Sequence, residues 1–332
     1  RLPGDLLAYT QWRHLTLIQM GSVFGPHGLG FLIVLVNAAL ARVWVESEGG
    51  RRPAPVTGPT LACAAGLMLV AFSYGTWSLA ARALPGETAR IEILQPNIDQ
   101  YDKWDQRRER AIVDNFAGLL ALPRVHPPAL VVWPESALPR WLDVGESPPE
   151  AAAWSNRLAV TQFVGVVSRQ GEDQFNSVFR IDPGVRYTGA YHKRDLVPFG
   201  EYVPMADVLR RYIGKLNELG GITPGAAIQP LLETPWGPAA VSICYEALFP
   251  RVLKSDVRRG ARLLVNVTND GWYKSTWGPY QHFYANIFRA VENRLTVVRS
   301  GNTGISAVID PWGIVLSKLE LNRRGRLDTT VP

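Results

Sequence analysis

From Pro59 to Ala81 the chain carries no charged side chain, running through LACAAGLMLVAFSYGTWSLAA, and nothing else in the sequence limits its folding as sharply. A segment of that length and character is about what is needed to cross ~30 Å of hydrocarbon as a helix. Trp77 and Arg82 stand near its end, where interfacial anchors belong. It reads as a transmembrane helix. A second apolar run, Leu29 to Val45, is shorter, is interrupted by Asn37 and Arg42, and follows the glycine-rich GSVFGPHGLG. It reads as a second span, with a buried core helix the plainer alternative for both runs. No Met or basic stretch opens the chain and the apolar runs come as a pair, so a cleaved signal peptide is not expected.

Composition agrees with a membrane-attached protein. Hydrophobic residues make up 47% of the 332 and charged residues 19%, and the excess apolarity is gathered in the first 85 positions. Basic residues outnumber acidic ones 35 to 29, yet the Arg are scattered among 11 Trp, which argues against a nucleic-acid surface and for anionic lipid head groups as partners. Arg42, Arg51 and Arg52 lie in or beside the link between the apolar runs, which would put that link in the cytoplasm and everything after Arg82 on the far side. Arg90, Arg107, Arg108 and Arg110 follow the second run, but translocated domains largely escape this rule. Cys63 and Cys244 lie far apart in dissimilar settings, so neither a disulfide framework nor a CxxC metal site is implied.

From about Thr88 the pattern becomes globular α/β, which divides the chain into a membrane region over 1–85 and a second domain over 86–332. Strands are expected at 91–94, 130–133, 162–167, 177–181, 239–243, 262–267, 296–299 and 305–309, and helices at 105–120, 150–159, 204–217, 249–259 and 278–293. Strands alternate with helices early, and hairpin-like pairs intervene later. That order suits a mixed sheet, or two sheets layered between helices, better than a doubly wound parallel sheet.

Three strand ends carry reactive groups. In VVWPESALP, Glu135 follows an apolar strand and could serve as a base, although a lone WPE is more often a solvated loop. In YHKRDLVPFGEYVP, Lys193 ends a strand, with Glu201 close behind; such a lysine can stabilise an oxyanion, or can be an ordinary surface charge. In AAVSICYEALFP, Cys244 sits where a strand turns into a helix, with Tyr245 and Glu246 next. There the helix N-terminus and nearby cations would lower the thiol pKa, and the Tyr245 N–H could bind an oxyanion, against the plainer reading of a small buried hydrophobe. His192 invites a metal or triad reading, but His14, His27, His126 and His282 show no HxH, HExxH or Cys/His spacing, so no metal is expected.

The order Glu, Lys, Cys, each just after a strand, resembles the carbon–nitrogen hydrolase (nitrilase) superfamily. LQPNIDQYDKWD, WPESALP, HKRDLVPFGEYVP, ICYEALFP, NDGWYKSTWGPYQH and RSGNTGISAVIDPWG, with the upstream GLGFLIVLVNAALA, are similar to the apolipoprotein N-acyltransferase family, and the likeness covers essentially the whole chain. It implies a nitrilase-like α-β-β-α sandwich domain preceded by transmembrane helices. It makes Glu135 the general base, Lys193 the oxyanion cation and Cys244 the nucleophile. Glu201 matches a further essential glutamate, Tyr245 and Glu246 match residues that shape the site, and Trp104 matches a tryptophan on a mobile loop at its mouth. Family members have more membrane helices before this region and one after it, so the chain resembles a fragment of a longer protein.

The reaction so implied moves an acyl chain from a phospholipid, through a Cys244 thioester, to the N-terminal amine of a diacylglyceryl-cysteine in a lipoprotein. It needs no cofactor, and it places the domain on the outer face of a bacterial inner membrane. A membrane-attached amidase, with water as the acceptor, keeps the same triad; a non-catalytic lipid-binding module keeps only the fold.

Overall fold

The computed structural model describes residues 6–48, 56–83, 88–184, 187–202, 221–274 and 276–331. The helix expected over 204–217, together with Arg51 and Arg52, lies outside the described residues. After a 3-10 turn at Leu7–Gln11 and a short helix α1 (Leu15–Ile18) come two long helices, α2 (Gly21–Glu48) and α3 (Thr57–Ala80). Both are long and apolar enough to cross a membrane, and most of their side chains face away from the protein. At 24 residues, α3 spans about 36 Å. The polar interruptions of α2 are satisfied locally: Asn37 donates to the Ile33 carbonyl at 2.8 Å, and Arg42 pairs with Glu46 at 3.2 Å.

The glycine-rich stretch, expected to precede the first span, is itself helical. The one break is at Gly25, whose φ of 65° and following Pro26 kink α2. The early turns of α2 are held because they pack on the second domain, where a Cβ at Gly21 would stand 3.7 Å from Val291 and 3.8 Å from Phe288.

Beyond Ala89 two sheets stack face to face. The first runs in the order β13 (Gly325–Val331), β1 (Ala89–Gln95), β2 (Leu130–Val132), β4 (Thr161–Gln170), β5 (Asp173–Ile181), β6 (Tyr187–His192), with β3 (Trp141–Asp143) also on β4. The second runs β12 (Val315–Leu319), β11 (Ser306–Ile309), β10 (Val297–Gly301), β9 (Leu263–Thr268), β8 (Gly237–Ile243), β7 (Leu232–Thr234). Ile91, Ile93, Val132 and Phe163 of the first meet Val241, Val265, Val267 and Val298 of the second in a shared core. Parallel neighbours such as β8 and β9 are apolar along their length because both faces are covered.

Helices α4 (Glu109–Leu120) and α5 (Pro149–Leu158) cover the outside of the first sheet; α6 (Pro250–Arg258) and α7 (Gly278–Asn293) cover the second. The result is an α-β-β-α sandwich. The long apolar helices join it through a common core: Ile18, Leu29, Leu32 and Ala71 pack with Ala285, Ile287 and Phe288 of α7. Polar contacts reinforce that seam, since Arg294 donates to Gln19 (2.6 Å), Ser22 (3.0 Å) and Ser78 (3.0 Å). Arg82, expected as an interfacial anchor, pairs at 3.0 Å with the fully buried Asp310.

Candidate active site

Strand β8 ends in Ile243 and hands over to a 3-10 turn at Cys244–Leu248 that leads into α6. Cys244 itself holds φ of 51°, the left-handed region that a side chain adopts only where its surroundings force it, and strain of this kind gathers at functional sites. Two buried groups supply that force. Glu246 accepts from the Ile243 amide at 2.8 Å, and also from the Arg194 and Asp195 amides and the Tyr191 hydroxyl. It thus binds the cysteine turn to the segment carrying Lys193, and burial pushes its own carboxyl up. From the other side, His282 Nε2 donates to the Cys244 carbonyl at 2.7 Å.

Glu135 arrives from the first sheet. Trp133, fully buried and stacked on Phe116, anchors the strand end, and Trp133 N and Ala137 N bond to Phe163 O and Gly165 O on β4. Gly165 permits this approach, since a Cβ there would fall within 2.7 Å of Glu135 Cα and closer still to the Pro134 carbonyl. Both carboxylate oxygens of Glu135 are held: Oε1 accepts from Asn176 Nδ2 and Oε2 from the Asn269 amide, each at 2.7 Å. The two bonds come from opposite sheets, so Glu135 is oriented at the top of the sandwich.

Lys193 follows β6 and is almost wholly buried. Its Nζ bonds Glu201 Oε1 at 2.8 Å and lies 3.9 Å from Glu135 Oε1. Burial alone would lower its pKa, but the charges of Glu135, Cys244 and Glu201 outweigh burial and the net shift is upward. Glu201 also takes hydrogen bonds from Asn176 (3.1 Å) and the Val197 amide (2.8 Å). Glu135, Lys193, Glu201 and Cys244 therefore meet in one place.

The expected lowering of the Cys244 pKa is not found. Burial and the neighbouring Glu135 charge push the thiol up to about 12, outweighing the downward pull of the Lys193 charge. A short 3-10 turn does not supply the positive end that a full helix would, and a thiol in this setting needs a base rather than spontaneous ionisation.

Of the other residues singled out, Tyr245 is half-buried and packs edge-on against Phe249, and Trp104 is exposed at 44% on the turn Asp102–Trp104. His192 is spent on structure, its Nδ1 within 2.7 Å of Ser177 Oγ and its ring on Phe175. No three His, Cys, Asp or Glu among the described residues are grouped to hold a metal ion.

Sequence reasoning passed over several members of the site. Lys103, beside Trp104, is buried and donates to the Glu135 carbonyl at 2.7 Å; burial lowers its pKa to about 8. Asp270 takes bonds from His282 Nδ1 (2.8 Å), Arg299 (2.7 Å) and Thr268 (3.2 Å). Burial would raise its pKa, but Arg299 and His282 bring it down to about 2. Asn302 ties the loops together by donating to Asn269 Oδ1 and Ile98 O. The signal was the polar strings NDG and RSGN at strand ends, since polar side chains directly after an apolar strand point to a site at the sheet's edge.

Exposed aromatics cluster on the same loops: Tyr101 and Trp104 before α4, Phe199 and Tyr202 beside Glu201, and Trp272 after Asp270. Lys274 sits 5.4 Å above the Tyr101 ring, linking two of these loops.

Residues 93–332 match the family described as carbon-nitrogen hydrolase. The chain is 38% identical over 318 residues to the apolipoprotein N-acyltransferase of Geobacter metallireducens, covering 94% of this chain and 60% of that protein. It is 38% identical over 343 residues to the apolipoprotein N-acyltransferase of Agrobacterium fabrum, covering 99% and 63%. The chain thus spans about three fifths of the length of the curated relatives it matches. Its fold is similar to that of the amidase from Nesterenkonia sp. AN1, solved as a mutant with the acetamide moiety of fluoroacetamide covalently added at the active-site cysteine. The TM-score is 0.53 at 18% identity, over 76% of this chain and 94% of that one.

Proposed function

Since the chain belongs to the carbon–nitrogen hydrolase family, we propose that it is the catalytic part of an apolipoprotein N-acyltransferase, with Glu135, Lys193 and Cys244 as its triad. The observation that carries this reading is the meeting of those three residues beside two helices able to span a membrane, on a domain that shares its core with them. The cysteine adduct in the Nesterenkonia amidase supports a covalent route. The exposed aromatics on the site loops suit a lipid interface, where rings with an apolar body and a polar edge settle.

In the first half-reaction Glu135 takes the Sγ proton and the sulfur attacks the acyl carbonyl of a phospholipid. Lys193 and the Tyr245 N–H face the oxygen that becomes negative. The C–O bond breaks, the thioester forms, and Glu135 returns its proton to the departing lysophospholipid alkoxide. In the second half-reaction Glu135 takes a proton from the α-amine of a diacylglyceryl-cysteine as that amine attacks the thioester; the amide forms, the C–S bond breaks, and Glu135 returns the proton to the Cys244 sulfur. Glu201 is the standing counter-ion of Lys193, which keeps the lysine charged and in place while Glu135 gains and loses its proton. Residues 1–85 are the membrane region and 86–332 the catalytic domain, on the outer face of a bacterial inner membrane.

The test is mass spectrometry of the Cys244 peptide after incubation with phospholipid, with Cys244→Ala and Glu135→Ala as controls. A hydroxylamine-labile acyl group that discharges onto an N-terminal lipopeptide amine supports the acyltransferase. Discharge to water alone makes the protein a hydrolase, and no adduct sinks the covalent mechanism.

A further inference from the structure

His282 lies 2% exposed on α7, in the domain's second face, and touches neither Glu135 nor Lys193 through any hydrogen bond among the described residues. Both of its ring nitrogens have partners, and both partners are acceptors: the Asp270 carboxylate at 2.8 Å and the Cys244 carbonyl at 2.7 Å. The Cys244 carbonyl has no proton to give, so the bond on that side is donated by Nε2. Asp270 holds the ring from the other side, being itself fully buried and fixed by Arg299 and Thr268.

The carbonyl that His282 holds belongs to the same peptide unit as the Tyr245 N–H. In a trans peptide the two point in opposite directions, so a donor on the oxygen side leaves the amide free to face the other way, and draws electron density so that the N–H donates more strongly. The Tyr245 amide is at the first turn of its 3-10 segment and has no partner inside that segment.

We propose that the Arg299–Asp270–His282 chain is a positioning relay that fixes and polarises the Cys244–Tyr245 peptide, so that His282 strengthens the oxyanion donor without touching substrate. The inference rests on the reading of Cys244 as the nucleophile, and it adds a group acting from behind the backbone. It also accounts for the left-handed backbone of Cys244, which the His282 bond and the Glu246 carboxylate pin from two sides.

The relay acts on the oxyanion, so its loss should separate two reactions of the same sulfur. Acylation of Cys244 by a p-nitrophenyl acyl ester passes through an oxyanion; alkylation by iodoacetamide does not. With the membrane-embedded chain in detergent, His282→Leu should slow the p-nitrophenol burst about 100-fold. His282→Gln keeps one neutral donor and should slow the burst about tenfold. Alkylation of the Cys244 peptide should stay within about twofold of wild type in both. A parallel fall in alkylation and acylation would mean that His282 merely holds the cysteine in place, and a wild-type burst in His282→Leu would mean that it does nothing; either overturns the relay. If the leucine variant does not fold, the same comparison in His282→Gln decides. A wild-type chain that alkylates but shows no burst fails at the acyl-transfer reading itself, and the relay falls with it.

Discussion

Lys193 sits closer to Glu201 (2.8 Å) than to Glu135 (3.9 Å), so its tight ion pair is with the carboxylate eight residues along its own chain. That geometry separates two tasks. Glu201 balances the lysine, while Glu135 keeps lone pairs open for a proton.

Removing the Glu201 charge therefore acts through Lys193. In Glu201→Gln the amide can still accept from the Val197 N–H, so the loop should fold, but the lysine would turn to Glu135 as its nearest carboxylate. We expect acylation to fall by about 100-fold, on the scale seen when one positioned charge is lost from an active site, with KM changed little. Burst kinetics check this, and a variant with wild-type burst rate refutes the division of labour.

Lys103 offers the opposite sign. Its buried ammonium has one hydrogen-bond acceptor among the described residues, the Glu135 carbonyl, and burial lowers its pKa to about 8. A base whose pKa is lower folded than unfolded destabilises the fold wherever the unfolded chain holds more protons. Stability should then rise with pH between about 8 and 10.5. Lys103→Met should flatten that rise and stabilise the protein at pH 7 by on the order of 3 kcal/mol. Thermal melts across that range test it, and a methionine variant that melts lower at pH 7 contradicts it.

Asp270 controls the acid side. Its pKa falls from 3.8 to about 2, so its contribution is fully present above the unfolded value and is lost as pH drops toward about 2. Asp270→Asn should remove this acid-sensitive step and lower stability at pH 7 by about 3 kcal/mol, because Arg299 is left buried beside a neutral group. Denaturation monitored from pH 5 to pH 2 shows whether the wild-type slope disappears in the variant.

Arg294 couples the N-terminal helical region to the sandwich domain through Gln19, Ser22 and Ser78. Arg294→Met should leave the sandwich intact and free the helices, at about 2 to 4 kcal/mol for a broken buried polar network. Hydrogen exchange is the sensitive measure: faster exchange in α7 near 290–293 is expected, with no change in β8 and β9.

Much of this architecture is legible in the sequence because local physics and tertiary environment agree there. The doubly covered strands at 239–243 and 262–267 are mostly apolar, with Ser242, Arg262 and Asn266 the exceptions, and the two long apolar helices announce themselves by length. The strands at 315–319 and 325–331 escaped notice because VLSKL and GRLDTTV are half exposed and carry charges, as edge strands do. Glu135 and Cys244 stand out because each follows an apolar strand, and Lys193 because it ends a strand with Glu201 close behind. His282 and Lys103 do not, because their importance comes from burial against groups far along the chain; Asp270 follows the buried strand β9, but its pairing with Arg299 and His282 is not visible there. The Cys244 pKa departs from its sequence expectation for the same reason: position in a turn is visible in sequence, while the depth of burial is not.

The pairing of β13 with β1 joins residues 325–331 to residues 89–95. The strand that leads toward the KWD turn and Lys103 thus takes its outer neighbour from the far end of the domain. A growing chain that has not delivered residue 325 presents β1 with a bare edge, so the first sheet stays incomplete until that residue is made. Assembly of the site is in this sense timed by the chain's own order. Folding of the two-sheet domain, limited by this long-range closure, should be slow compared with formation of the local helices.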